Sequence, residues 1–235
     1  ILLTDADCRP SKSWVSEMAK YMNREIVIGL SPYQEYTGFL NQLIQFETFQ
    51  TALHFVSSAA DGKPYMALGR NLAYKKSLFE NVGGFGKMAG ITGGDDDLLI
   101  QKMISSDNFT MAFSPASRVD SIPKTTWSGY WKQKTRHFSV GKFYPPKVKR
   151  AESFRWFLHT GMWLAFFPTF IANPFLATLI LTFTFVIKAI SINIVADRLE
   201  KRFNHLWLPF VDLVYAVLMP VIGLRSLLVK NIKWN

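Results

Sequence analysis

The chain opens Ile1-Leu2-Leu3-Thr4-Asp5-Ala6-Asp7-Cys8. Three aliphatic residues in a row read as a short buried strand. Two carboxylates at spacing two follow at its C-terminal end. Such a pair can reach one divalent cation and a diphosphate carried on it. Mg²⁺ and Mn²⁺ take a few carboxylate oxygens together with substrate phosphates and water. The plainer alternative is a strand-to-helix turn, where Asp is common. The strand starts at the first residue, with no Met, no charged n-region and no signal peptide ahead of it. The expectation is a fragment that lacks the N-terminal part of a larger protein.

Downstream, residues 1–120 read as a mixed α/β domain. Ile26-Val27-Ile28-Gly29-Leu30 is a second buried strand, and Phe109 to Phe113 a last one. Ser13 to Asn23 reads as a helix, with Trp14, Met18 and Tyr21/Met22 at helical spacing. From Thr37 to Ser57, Phe39, Leu40, Leu43, Ile44, Phe46, Phe49, Leu53 and Val56 form a broad apolar stripe, which predicts a long helix with one buried face. Gly83-Gly84 marks a turn, and Leu98 to Ile104 reads as a helix after an acidic turn.

Charge divides the rest of the chain. Of 235 residues, 27 are Lys or Arg and 17 are Asp or Glu, a net +10. Residues 118–150 alone hold nine Lys/Arg against the single acid Asp120. Trp127, Tyr130, Trp131, Phe138, Phe143 and Tyr144 are interleaved with them. Trp127, Trp131, Lys134 and Phe138 share one helical face, which reads as a basic amphipathic helix in a membrane interface. Single-stranded nucleic acid is the rival partner for such a segment. The following sequence decides for the membrane: Trp156 to Ile187 is 32 residues without one charge. A membrane-crossing helix needs roughly 20 apolar residues. Asn173-Pro174 splits the run into spans near Trp156–Ala172 and Phe175–Ile194. Leu206–Val229, with Asp212, Pro220 and Arg225 inside it, offers a third. Cytoplasmic loops favour Lys/Arg, so the basic collar and the Arg198–Arg202 loop both belong on the cytoplasmic side.

The composition excludes disorder, because 15% aromatic residues is too apolar for it. It also argues against a purely soluble single domain. Cys8 is the only cysteine, so no internal disulfide forms, which fits a reducing compartment. His54, His137, His159 and His205 are scattered without metal-ligand spacing.

Three further patterns carry candidate chemistry. Gly93-Gly94-Asp95-Asp96-Asp97-Leu98-Leu99 crowds three acids at a helix start. Mutual repulsion can raise the pKa of one of them and suit it to proton transfer. Its structural alternative is an acidic N-cap on a solvated turn. Gln133-Lys134-Thr135-Arg136-His137 puts Gln133 and Arg136 on one helix face. They can bind a leaving diphosphate, with Arg as a fork donor, or form a solvated basic face. Gly69-Arg70-Asn71-Leu72-Ala73-Tyr74-Lys75-Lys76-Ser77-Leu78-Phe79, ending at Val82-Gly83-Gly84-Phe85, allows a tight turn under a binding site.

The order of these motifs resembles the family 2 glycosyltransferases, inverting enzymes of GT-A fold, and most the membrane-bound branch with cellulose, chitin and hyaluronan synthases. The resemblance implies a partial GT-A (nucleotide-diphospho-sugar transferase) domain over 1–120, a basic interfacial segment over 121–150 and two to three transmembrane helices over 151–235. By resemblance, Asp5 and Asp7 bind the nucleotide diphosphate through Mg²⁺ or Mn²⁺, and Asn71 belongs to the substrate-binding segment. An aspartate of the Asp95-Asp96 pair is the general base. Anchoring on Gly94 selects Asp96, the preferred choice, and anchoring on Asp97-Leu98 selects Asp95. Gln133 and Arg136 hold the acceptor or the leaving diphosphate. His137 stands where the family has a Trp that stacks on the acceptor sugar, so transfer of one or a few sugars is at least as well supported as polymerisation. The nucleoside-binding first half of the domain is missing, which implies an inactive fragment.

The implied partners are a nucleotide-sugar donor, a saccharide or glycolipid acceptor and membrane lipid, with no nucleic acid. The implied protein is an integral membrane enzyme with its catalytic domain on the cytoplasmic side. Two other functions fit parts of the pattern: a polyprenyl-phosphate sugar transferase, and a non-enzymatic membrane protein whose basic, Trp-rich helix binds anionic lipid.

Overall fold

A computed structural model describes residues 1–228 apart from Thr92 and Asp95, and of Lys87 and Ala89 the backbone alone. Asp95, the alternative to Asp96 as the expected base, lies outside the described residues. So does Val229, the last residue of the expected third span.

The main sheet has four strands: β1 (Leu2–Leu3), β3 (Ile26–Gly29), β4 (Leu72–Tyr74) and β5 (Phe109–Ala112), in the order β1-β4-β3-β5. β4 runs antiparallel to both its neighbours, and β3 runs parallel to β5. A two-stranded ribbon pairs β2 (Cys8–Pro10) with β6 (Val119–Ser121). β2, β4 and β6 escape the sequence pattern because each is only three residues long, too short for an alternation to register. β1 is half-buried rather than fully buried, since it holds the sheet edge and pairs with β4 alone.

Strand pleating sends successive side chains to opposite faces. Ile26, Ile28, Leu72 and Tyr74 therefore join one core, while Val27 and Ala73 join another. The smaller core is closed by α1 (Trp14–Lys20) through Trp14 and Met18. The larger is closed by α2 (Phe39–Ala60) and α4 (Asp97–Met103), then by helices from the C-terminal third. α2 buries Leu43, Ile44, Phe46 and Phe49 of its expected stripe, together with Phe55, which the stripe did not include. α3 (Lys76–Asn81) ends at Gly83 and Gly84, both at positive φ, as a tight turn requires.

The C-terminal third is helical: α5 (Trp127–Val140), α6 (Pro146–Ala172), α7 (Pro174–Leu199) and α8 (Leu208–Leu228). α6 and α7 form a hairpin at Asn173, whose Oδ1 caps α7 by accepting from Leu176 N at 3.0 Å. Among the described residues, two helical stretches are long and apolar enough to cross a membrane: Pro174–Leu199 and His205–Leu228. The expected span at Trp156–Ala172 is not one of them. It is the uncharged part of α6, whose first turns are basic.

The basic amphipathic helix forms as expected, but its aromatic face meets protein. Trp131 lies under the Arg225 guanidinium at 5.6 Å, and Phe138 packs on Trp156 at 5.7 Å. Lys134, expected on that face, is instead buried in an ion pair with Glu47 at 2.7 Å. Tyr130 donates to the same carboxylate at 3.0 Å. Of the four residues on the expected face, Trp127 stays most open, at 48% exposed.

Candidate active site

Three separated segments are stitched together around Asp96. Its Oδ2 accepts from Gly69 N at 2.8 Å, and its Oδ1 from Asp97 N at 2.9 Å. Asp97 Oδ1 accepts from Ala67 N at 3.3 Å, and its Oδ2 accepts from the Tyr144 hydroxyl. Burial, then the Asp97 charge, pushes the Tyr144 phenol pKa far up, so it stays a donor. The acidic turn is thus a helix cap, as its structural alternative held, and is also docked on the Gly69 segment.

Glycine explains how α5 comes so close. A Cβ on Gly94 would sit 2.2 Å from Val140 Cγ1, and one on Gly93 would sit 2.9 Å from Arg136 Nη1. Both glycines are at positive φ. A side chain at Gly94 would push Val140 and α5 off the acidic turn, and one at Gly93 would displace the Arg136 guanidinium.

α5 divides its labour by face. Tyr130 and Lys134, four apart, anchor it to Glu47 of α2. Gln133 and Arg136, three apart, point the other way. Gln133 Nε2 reaches the Tyr33 hydroxyl at 3.5 Å, and Arg136 contacts His137 at 3.3 Å. His137 is open to solvent on one side. The dense protein around it, with the charges of Lys134, Arg136 and Arg70, pushes its imidazole well below the usual value. It is neutral near pH 7, so it adds no charge to the site.

Asp5 and Asp7 occupy the turn between β1 and β2, closed by Cys8 N donating to Asp5 O at 3.1 Å. Ligand atoms of Asp5, Asp7 and Cys8 lie within 4.8 Å of one another, with both carboxylates exposed and Cys8 buried. Burial, the largest influence on it, pushes the Cys8 thiol pKa up. The thiol donates to Asp7 Oδ1 at 3.9 Å. Two open carboxylates remain, a donor set that suits Mg²⁺ or Mn²⁺ with phosphate oxygens completing the shell.

Asn71 does not face this site. It is fully buried. Its Nδ2 donates to Leu30 O at 2.7 Å and Ser117 O at 2.9 Å, and its Oδ1 accepts from Trp14 Nε1 at 3.0 Å. It pins β3, α1 and the Ser117 turn together and has no donor left for a substrate.

Its neighbour Arg70 is half-buried rather than buried, and the motif's generic spacing did not single it out. Arg70 donates to Ser31 Oγ at 2.7 Å and Ser31 O at 3.0 Å, and its guanidinium stacks 4.7 Å from the Tyr33 ring centre. Its charge is felt at Cys8 on one side and at His137 on the other. It also donates to the Tyr33 hydroxyl at 3.4 Å, the group that meets Gln133 of α5. Tyr33 links the two, and no sequence signal marks it.

No curated protein matches the chain. Residues 1–228 match the family described as "Glycosyl transferase family group 2". With these residues matched, the chain belongs to glycosyltransferase family 2, and sugar transfer is its class of chemistry.

Proposed function

We propose that the protein carrying this chain is a membrane-anchored, inverting glycosyltransferase. It moves a sugar from a nucleotide-diphosphate donor to a saccharide or glycolipid acceptor. The observation that supports it best is the joining of Asp96, Gly69 and Arg136 at one turn, although they lie far apart in sequence.

Asp5 and Asp7 hold the cation, which would offset charge on the donor diphosphate. A carboxylate of the Asp95-Asp96 pair takes the acceptor hydroxyl proton as that oxygen attacks the anomeric carbon. The bond to the diphosphate breaks on the opposite face, so configuration inverts. Arg136 stabilises the departing diphosphate, and Arg70 adds positive potential beside it. Gln133 orients the acceptor from the Tyr33 side. Asp96 is preferred as base. The backbone donors on Asp96 fix its position at the start of α4.

The α6–α7 hairpin exposes Phe157, Leu164, Ile171, Phe175 and Phe183. An apolar surface of this size is characteristic of contact with lipid. We place the hairpin in the bilayer, with the catalytic domain on the cytoplasmic side, where the basic collar belongs.

The test is turnover of a nucleotide sugar by the full-length protein, with and without Mg²⁺ or Mn²⁺. Asp96→Asn is expected to lower transfer by about 10²–10⁴ while donor binding persists. If Asp95→Asn has that effect and Asp96→Asn does not, the base is Asp95. Wild-type rates in both variants overturn the assignment.

A further inference from the structure

The uncharged run of α6 and α7 does not project as far as it is long. Up to Trp163, α6 is held by the rest of the molecule. Trp156 packs on Tyr215 at 5.1 Å, Thr160 Oγ1 donates to Ala216 O at 2.9 Å, and Trp163 Nε1 donates to Asp212 Oδ1 at 2.8 Å. From Lys188 onward α7 is held again. Lys188 pairs with Asp212, and Ile192, Val195, Ala196 and Leu199 enter the same core as Leu72 of β4. Residues 164–187 project beyond these anchors, folded at Asn173. Their arms measure about 14 Å from Trp163 to Ala172 and about 21 Å from Pro174 to Lys188. The hydrocarbon of a bilayer is roughly 30 Å thick, so neither arm crosses it.

The turn itself suits an apolar surrounding. A hairpin that crosses a bilayer presents its turn to water. Here Ile171 and Phe175, on either side of Asn173, are 84% and 80% exposed. Backbone groups that enter hydrocarbon need partners within the chain. Asn173 supplies them at the apex: its Oδ1 takes Leu176 N, its carbonyl accepts from Ala177 N at 3.1 Å, and its N–H donates to Thr169 O at 2.7 Å. Pro174 brings no N–H to satisfy.

α8 extends the same surface. Its buried stripe runs from Leu208 through Tyr215 and Ile222 to Ser226, from the first turn to the last. Tyr215 meets Phe46 of α2 edge-on at 5.3 Å, and Arg225 lies over Trp131 of α5. A helix that crossed the bilayer would leave α2 and α5 within a few turns. On the side away from Tyr215, Phe210, Val217, Val221, Leu224 and Leu228 form an exposed row. Charge is costly at a bilayer centre. Lys188, His159 and Asp212 meet where the arms leave α8, which is headgroup depth if α8 lies on the surface. Aromatic residues gather at that depth, and Trp207 and Trp127 flank the Phe39 ring at 5.7 and 6.3 Å.

We propose that these helices anchor the chain in a single leaflet. Residues 164–187 dip into the acyl chains and return, and α8 lies flat with its exposed row in the same acyl layer. The occupant of both faces is lipid of the leaflet nearest the catalytic domain. Helices that end within one leaflet line no path across it, so these give a product no route through the membrane. This anchorage deepens the bilayer placement of the hairpin and rests on it.

Spin labelling measures the depth. Full-length protein in phosphatidylcholine nanodiscs carries one nitroxide at a time, on Leu164→Cys, Phe167→Cys, Ile171→Cys, Phe175→Cys or Phe183→Cys in the hairpin and on Phe210→Cys, Val217→Cys or Leu224→Cys in α8. Cys8 is buried and does not compete. Oxygen enters lipid, a water-soluble nickel chelate does not, and a nanodisc opens both faces to nickel. Nickel collisions are expected to fall along each arm to a minimum at Ile171 and Phe175, where oxygen collisions peak. The three α8 sites should share one shallow depth. Nickel collisions lowest at Phe167 and Phe183 that recover at Ile171 and Phe175 mean a crossing hairpin; they overturn the single-leaflet anchor and leave the bilayer placement standing. Depth that changes steadily from Phe210 to Leu224 overturns it as well. Few collisions with either reagent at every site, with broadening between labels, mean that a second copy covers the hairpin. That result, or free nickel access throughout, sinks the bilayer placement and the anchor together.

Discussion

Asp96 and Asp212 are both held by hydrogen bonds and both have a cation nearby, yet they do opposite things. Asp96 is half-buried at the mouth of a turn, bonded to backbone donors, with the guanidinium of Arg136 over the adjoining Gly93. Asp212 is fully buried between α6, α7 and α8. It takes Lys188 Nζ at 2.5 Å and Trp163 Nε1 at 2.8 Å, with His159 Nε2 at 3.5 Å. The first arrangement keeps both side chains only half-buried. The second satisfies itself and excludes water. Burial decides which: a dry charge must be neutralised by its own neighbours, because leaving it unpaired is costly. The second cluster joins side chains of three helices, while the first is the one proposed to serve chemistry.

The comparison breaks most sharply at Asp212. Asp212→Ala leaves Lys188 buried without its partner and is expected to cost about 3–5 kcal/mol. Thermal unfolding in detergent would show it. The joint change Lys188→Met with Asp212→Leu should recover much of that loss, because a buried ion pair stabilises little over an apolar pair. If Asp212→Ala melts like the parent, the cluster is not the lock described here.

At the open cluster the loss should fall on rate instead. Arg136→Ala removes the donor proposed for the leaving group and is expected to cost kcat about 10²–10³ with unchanged melting. A small loss of rate would favour the polyprenyl-phosphate version of the transferase, in which this helix has no defined part.

Asn71 tests whether a motif residue can belong to the silent kind. Asn71→Ala strands Trp14 Nε1 and two carbonyls, at about 1–3 kcal/mol. Stability should fall while the donor KM of surviving protein stays the same. A raised KM with normal melting would return Asn71 to the substrate.

The smallest effect concerns pH. Burial, with Arg155 nearby, pushes the His54 imidazole down to about 4 from its ordinary 6.5. Below 6.5 the unfolded chain takes up a proton that the folded one refuses. The stability His54 confers is therefore complete above 6.5 and is lost as pH falls towards 4. His54→Gln should flatten the drop in melting temperature over that window.

Long periodic features were legible from the chain alone. The stripe of α2, the strand at Ile26–Gly29 and the uncharged run of α6–α7 each repeat a pattern long enough to be unambiguous. The Gln133/Arg136 pair was legible because helical spacing places side chains three apart on one face whatever surrounds the helix. Arg70 and Tyr33 were not, since what marks them is proximity across more than thirty residues, and local spacing contains no trace of it.

The sequence by itself determined which residues carry charge and which stretches must avoid water, because composition and periodicity are local properties. Tertiary structure alone decided which charges stay reactive. It buried Asn71 beneath its own motif, turned Lys134 inward onto Glu47, and let Gly93 and Gly94 bring Arg136 to the acidic turn. The reason is desolvation. Whether a polar group is a structural pin or a working one depends on the neighbours that remove its water, and those come from distant parts of the chain.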